Sequence, residues 1–247
     1  MRRFPWVLTI ASAAVFAVLV ALGVWQVQRL QWKEGLIARA EAASQVLPEA
    51  PAYVLGAENP EFSRVALICP GLATASFVEL QTIHEGQPGV RLISACRHPG
   101  YPQTLLVDRG FVPDNISARP PVSASEAPVQ LVAQVRATPA PGPMALAAEG
   151  RRFFARDNAA MARVLGLDGP TAPWTLFATT SSNPEWLALK PSAPPAAFAN
   201  NHLGYAITWF GLALALAGVY IALLRRKLNP PPAAVHSQDV DGEERAS

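Results

Sequence analysis

Charge is scarce in this chain. Only 15% of its 247 residues are Asp, Glu, Lys or Arg, where a soluble domain carries about 25%. The 20 basic and 18 acidic side chains nearly cancel, and no block is basic enough for a nucleic-acid footprint. Cysteine is equally sparse: Cys69 and Cys96 alone exclude a disulfide-rich miniprotein, and their spacing is neither thioredoxin-like nor that of a zinc ribbon. Catalytic signatures are missing as well. The sequence contains no GxSxG, HExxH or Walker A loop and no GxGxxG opening a helix. The four histidines, His84, His98, His202 and His236, fall at no metal-ligand spacing. These absences argue against a nucleic-acid binder and against an enzyme with a nucleophile–base or metal constellation.

What the chain does have is two long uncharged runs, Phe4–Gln28 and Leu203–Leu224. A hydrocarbon core of about 30 Å needs about 20 helical residues, so each run is long enough to span it. Trp6 and Trp25 bracket the first, and Tyr205, Trp209 and Tyr220 mark the second, as interfacial aromatics do. The first run exceeds a signal-peptide core and is followed by no small-residue cleavage site, so it reads as a retained anchor. Arg225, Arg226 and Lys227 abut the second run, whereas the stretch before it carries only Lys190. That asymmetry places the C-terminus in the cytoplasm, and two spans then place the N-terminus there too. With no Arg- and Ser-rich transit peptide, a bacterial inner membrane is the expected location. The expected layout is an N-terminal transmembrane helix over residues 1–28 and an extracytoplasmic domain over 29–201. A C-terminal transmembrane helix over 202–227 and a disordered, Pro-rich cytoplasmic tail over 228–247 complete it.

The central segment reads as mainly β, a meander closing into a barrel or sandwich. Arg64–Cys69, Phe77–Ile83, Val90–Ala95, Thr104–Asp108, Val129–Arg136 and Trp174–Thr179 are short and rich in β-formers, with Gly and Pro clusters between several of them. One short helix is expected over Asn158–Leu165, capped by Asp157 or Asn158. Residues 113–128 and 184–199 read as loops. Cys69 and Cys96 each close a predicted strand just before a turn. A disulfide between them, with a loop closure worth roughly 3 kcal/mol, and a pair of buried thiols both suit that placement.

The ends of the spans carry the most distinctive side chains. Gly204, Thr208, Gly211, Ala215, Gly218 and Ala222 form a seam of small residues on the second span, and Ala13, Ala17 and Ala21 a similar stripe on the first. Such seams let helices approach closely, so the two spans are expected to pack through them. His202, Tyr205 and Trp209 fall on the opposite face, which sets an imidazole over two aromatic rings. Trp25, Arg29, Trp32 and Leu36 share one face at the end of the first span. Two readings stay open: an aromatic belt with a snorkelling arginine, or a cationic, aromatic-lined site for an amphipathic anion such as haem, with imidazole for iron and arginine for a carboxylate.

The same residues carry a family resemblance. Leu22-Gly23-Val24-Trp25-Gln26-Val27-Gln28-Arg29, continuing through Trp32-Lys33 to Leu36-Ile37, resembles the first signature of the surfeit locus protein 1 family of cytochrome c oxidase assembly factors. Asn200 to Phe210, NNHLGYAITWF, resembles the second. Gly86-Gln87-Pro88-Gly89 and Val107-Asp108-Arg109-Gly110-Phe111-Val112-Pro113 are similar to its middle segments, although Asp108 and Phe111 replace the family's usual Asn and Trp. The resemblance implies two spans enclosing an outer, mainly-β domain. It also implies a non-enzymatic membrane chaperone that binds haem a and assists its insertion into cytochrome c oxidase subunit I, with haem a synthase as a further partner beside membrane lipid. Carried over by position, His202 is the implied haem-iron ligand. Arg29, Trp25, Trp209 and Tyr205 complete the expected cofactor-binding set, Arg29 as a propionate contact. Alternatives are a haem-free scaffold for an oxidase intermediate and a two-span sensor. The sensor would need a cytoplasmic output module larger than the tail.

Overall fold

The first apolar run does not stop where its charges begin. In the computed structural model, which describes residues 4–195 and 200–229, one helix, α1, extends over Trp6–Gln45. It passes residue 28 without a break because residues 29–45 contain no proline and one glycine among good helix formers. Forty residues rise about 60 Å, twice the thickness of a hydrocarbon core. The second apolar run is helix α4, His202–Leu228, with Arg225, Arg226 and Lys227 in its last turn, where cations suit the helix dipole. Both helices are long and apolar enough to cross a membrane, and only 6% of each apolar stretch is buried, the reverse of a core helix in a soluble protein. Arg2, Arg3 and the tail beyond Asn229, with His236, lie outside the described residues.

Residues 4–34 and 200–229 form one compact unit and residues 35–195 another. In the second unit, seven strands make one sheet: β1 Arg64–Pro70, β2 Phe77–His84, β3 Gln87–Cys96, β4 Thr104–Pro113, β5 Pro128–Ala137, β6 Arg152–Phe153 and β7 Thr171–Ala178. Their order is β1-β5-β7-β4-β3-β2-β6. Two short helices, α2 Pro51–Val54 and α3 Asn158–Val164, flank the sheet, and Asp157 caps α3 by accepting from the Ala160 N–H.

The expected meander holds only for β2-β3-β4. β7 inserts between β4 and β5, parallel to the first and antiparallel to the second, and β6 runs parallel to β2. Alternating hydrophobicity reports which face of a strand is buried and says nothing of its partner. The long connections before β5 and β7 permit the crossover. β6, at two residues, is too short to leave a periodic signal. Residues 113–128 and 184–195 carry no regular element beyond the ends of β4 and β5, as their Pro and Ala content implies.

The sheet is strongly curled. β1 and β3 stand four places apart, about 19 Å if the sheet were flat, yet the Cα atoms of Cys69 and Cys96 are 5.1 Å apart and the two residues form a disulfide. Beside them, the Ile68 N–H donates to His98 Nδ1 at 3.0 Å. The curl encloses a core in which Val65, Leu67 and Cys69 of β1 meet Leu105 and Val107 of β4, Leu131 and Val135 of β5 and Leu176 of β7. A second cluster on β2, β3 and β4 packs Val78, Ile93 and Leu106 against Met161 of α3. The result is a mixed, mainly-β, barrel-like domain with a short helix, flanked in sequence by two apolar helices.

β4 is longer than its apolar pattern predicts because its polar residues are buried and paired. Asp108, fully buried, accepts from Arg91 Nε at 2.7 Å and from Arg156 Nη2 at 2.6 Å. Both guanidinium groups lie on the ring of Phe177, at 5.3 and 4.7 Å. Arg109 is also buried, donating to Ser182 Oγ and the Ala73 carbonyl, and burial pulls its guanidinium down to about 10. At Gly110, φ is +136° and a Cβ would run into the Lys190 carbonyl. That close approach lets Phe111 and Lys190 exchange backbone hydrogen bonds. The Asp108-Arg109-Gly110 segment therefore has a structural role in the domain interior.

Candidate functional site

The distinctive span-end residues meet within the helical unit. α1 presents Gly23 and Gln26 as its buried positions, and α4 presents Ala206 and Ala213. A Cβ at Gly23 would lie 2.7 Å from the Phe210 ring, so glycine here allows the ring of α4 to seat against α1. Near one end of the pair, Thr9 Oγ1 and Tyr220 Oη are 2.7 Å apart. Near the other, His202 Nδ1 lies 2.6 Å from Gln26 Oε1.

The helices do not pair through their small-residue seams. Gly204, Gly211 and Gly218 have nothing within 4 Å of a Cβ position, and the whole seam from Gly204 to Ala222 is exposed, as are Ala13, Ala17 and Ala21. Polar side chains decide the matter. A hydroxyl, a carboxamide and an imidazole inside apolar helices must find partners, and unsatisfied groups in hydrocarbon are costly. The two interhelical hydrogen bonds described, Thr9–Tyr220 and Gln26–His202, lie on the His202 face, which turns the glycine seam outward.

His202 is the first residue of α4. Its ring meets the edge of Trp25, with centroids 6.4 Å apart and planes at 85°. The imidazole was expected over Tyr205 and Trp209. Neither of those rings makes a described contact with it: Tyr205 is 56% exposed and Trp209 half-buried. Helical spacing placed the three on one face of α4, but the ring turns toward α1, where the carboxamide is. Arg29 lies one turn beyond Trp25 and stacks on Trp32, 3.8 Å from its guanidinium carbon to the ring centre. Lys33 follows Arg29 one turn further along α1. The structure thus brings together His202, Trp25 and the cationic end of the first span, and leaves Tyr205 and Trp209 at its margin.

Gln26 is the site residue that pattern reasoning passed over. The available signal was a carboxamide inside an uncharged 25-residue run, where polar side chains are rare and need a partner. Among the described residues, no group of three or more His, Cys, Asp or Glu side chains gathers to hold a metal ion. The Cys69–Cys96 pair belongs to the curled sheet and serves its closure.

Comparison with known proteins agrees with the span-end motifs. Residues 13–214 match the SURF1 family, a range that includes His202 and Gln26. The Homo sapiens protein named Surfeit locus protein 1 is 29% identical over 233 residues, covering 85% of this chain and 74% of that protein. A SURF1-like protein of Monosiga brevicollis is 26% identical over 260 residues, covering 90% and 92%. The Takifugu rubripes Surfeit locus protein 1 is 25% identical over 244 residues, covering 90% and 98%. With its family match reaching from within the first helix, through the domain, into the second, this chain belongs to the SURF1 family.

Proposed function

We propose that this protein is a non-enzymatic assembly factor for a haem-copper cytochrome c oxidase, holding haem a as cargo at His202 and passing it to subunit I. One observation carries the reading: an imidazole held by its Nδ1 at the end of an apolar helix pair, beside an aromatic ring and one turn from the cations of α1. Gln26 engages Nδ1, which leaves Nε2 as the ring nitrogen to ligate iron. Trp25 offers an apolar edge for a porphyrin plane. Arg29 and Lys33 supply positive charge on the turns of α1 that follow Trp25, and propionate carboxylates pair well with guanidinium groups. The uncharged surfaces of α1 and α4 suit a hydrophobic cargo held at the membrane, and the basic end of α4 supports a cytoplasmic C-terminus. The cargo site then lies at the extracytoplasmic surface of a bacterial inner membrane.

The test is to produce the full chain together with the enzymes of haem a synthesis and record the absorbance of the purified protein. Wild type is expected to carry a haem band and His202→Ala to lose it, with a matching loss of oxidase maturation. A band and maturation unchanged in His202→Ala would overturn the ligand assignment. Co-purified subunit I with no haem under any condition would replace cargo holding with a haem-free scaffold.

A further inference from the structure

We infer that Gln26 is a positioning residue that fixes the tautomer of His202 and so directs the lone pair of Nε2 outward. The inference rests on the reading of His202 as an iron ligand, and it concerns how this chain prepares that ligand before any haem arrives. Gln26 is 9% exposed and is, with Gly23, one of two buried residues of α1. A carboxamide buried among apolar helices has to be hydrogen-bonded, and its oxygen lies 2.6 Å from His202 Nδ1. A carboxamide oxygen only accepts, so the ring nitrogen facing it carries the proton. Neutral imidazole has one N–H, which leaves Nε2 bare.

That outcome opposes the ring's own preference, because histidine in water favours the proton on Nε2. Without Gln26 the dominant tautomer would present an N–H outward and aim its lone pair at the helix interface. The edge-on contact with Trp25, at 85° between planes, restricts the ring further. Partners that orient a ligating imidazole in this way typically change metal affinity 10–100-fold. The chemistry of a carboxamide also matters. Carboxylate partners add basicity to the ligand, whereas a neutral amide sets the tautomer without that gain, which suits a ligand that must release its cargo.

The experiment uses the full chain in phosphatidylcholine nanodiscs, labelled with ¹⁵N-histidine, at alkaline pH where the ring is neutral. Subtracting the His202→Ala spectrum assigns the ring. Wild type is expected to show a protonated Nδ1 and a bare Nε2, Gln26→Leu the reverse, and Gln26→Glu, which keeps the acceptor, the wild-type pattern. Titration with haemin, followed by absorbance, is then expected to show 10–100-fold weaker binding for Gln26→Leu and none of that loss for Gln26→Glu. An Nε2–H tautomer in wild type would mean that the amide presents its NH₂ group, and would overturn the proposal. So would a wild-type tautomer and affinity in Gln26→Leu, or failure of Gln26→Glu to restore them. Haemin binding undiminished in His202→Ala would instead defeat the ligand reading alone, since the tautomer is measured without haem.

Discussion

Two single residues of the β domain carry disproportionate weight. Asp108 is fully buried between two arginines, and removing one member of such a group leaves charges in the interior without compensation. Asp108→Ala is expected to destabilise the domain by about 3–5 kcal/mol, read as a lowered denaturant midpoint of the full chain. Asp108→Asn, which keeps one acceptor, should lose less. His98 is a second case, because its Nδ1 accepts from the Ile68 N–H and must be unprotonated to do so. Burial lowers the pKa of His98 below its ordinary 6.5. The folded state thus binds this proton less readily than the unfolded chain. Stability is full above pH 6.5 and is lost as pH falls from there through the lowered value. A thermal melt taken across that window should show an acid limb that flattens in His98→Gln. At this scale the sequence was partly legible. His202, Trp25 and Arg29 stood out by position in their motifs, whereas Asp108 and His98 draw their roles from partners 17 to 48 residues away, which spacing cannot supply.

For the helices, the decisive fact is which face of α4 is covered. Gly23 lies under the Phe210 ring while Gly211 faces open space. Gly23→Leu is therefore expected to force the helices apart and cost about 1–3 kcal/mol, and Gly211→Leu, its side chain in open space, to cost almost nothing. Unfolding of both variants in detergent micelles, monitored by tryptophan fluorescence, checks the contrast. Equal losses would mean that the glycine seam is covered after all. The apolar runs, their lengths and the short helix after Asp157 could be read from hydrophobicity and capping because those signals are local. The interface could not, since small residues mark where helices are able to approach and polar ones decide where they do. The same limit hid the extent of α1: the pattern beyond Arg29 is helical, but an apolar-run criterion ends at the first charge.

Over the whole molecule, the two apolar helices followed from where charges are missing and the mainly-β domain between them in sequence from short segments rich in β-formers, while the strand order did not. Six strands were visible as apolar segments. Their pairing depends on a crossover that brings β7 into the centre of the sheet, and long-range pairing leaves no mark on a local window. The disulfide has a global role for the same reason. It joins strands four places apart, so Cys69→Ser with Cys96→Ser is expected to cost about 3 kcal/mol and to leave the order of strands unchanged. An equilibrium unfolding curve with and without reductant measures the difference. The strand order also sets a timetable for synthesis. β1 is made first among the strands, but its ladder partner β5 begins only at Pro128, and β7, which locks β5 to β4, ends at Ala178. For more than fifty residues of elongation, β1 is an apolar strand with an open edge, the kind of segment that invites wrong pairing. Cys96 emerges well inside that interval. The bond that later closes the curled sheet is therefore also available as a tether, holding the earliest strand beside the growing β2-β3-β4 meander until its own neighbour exists.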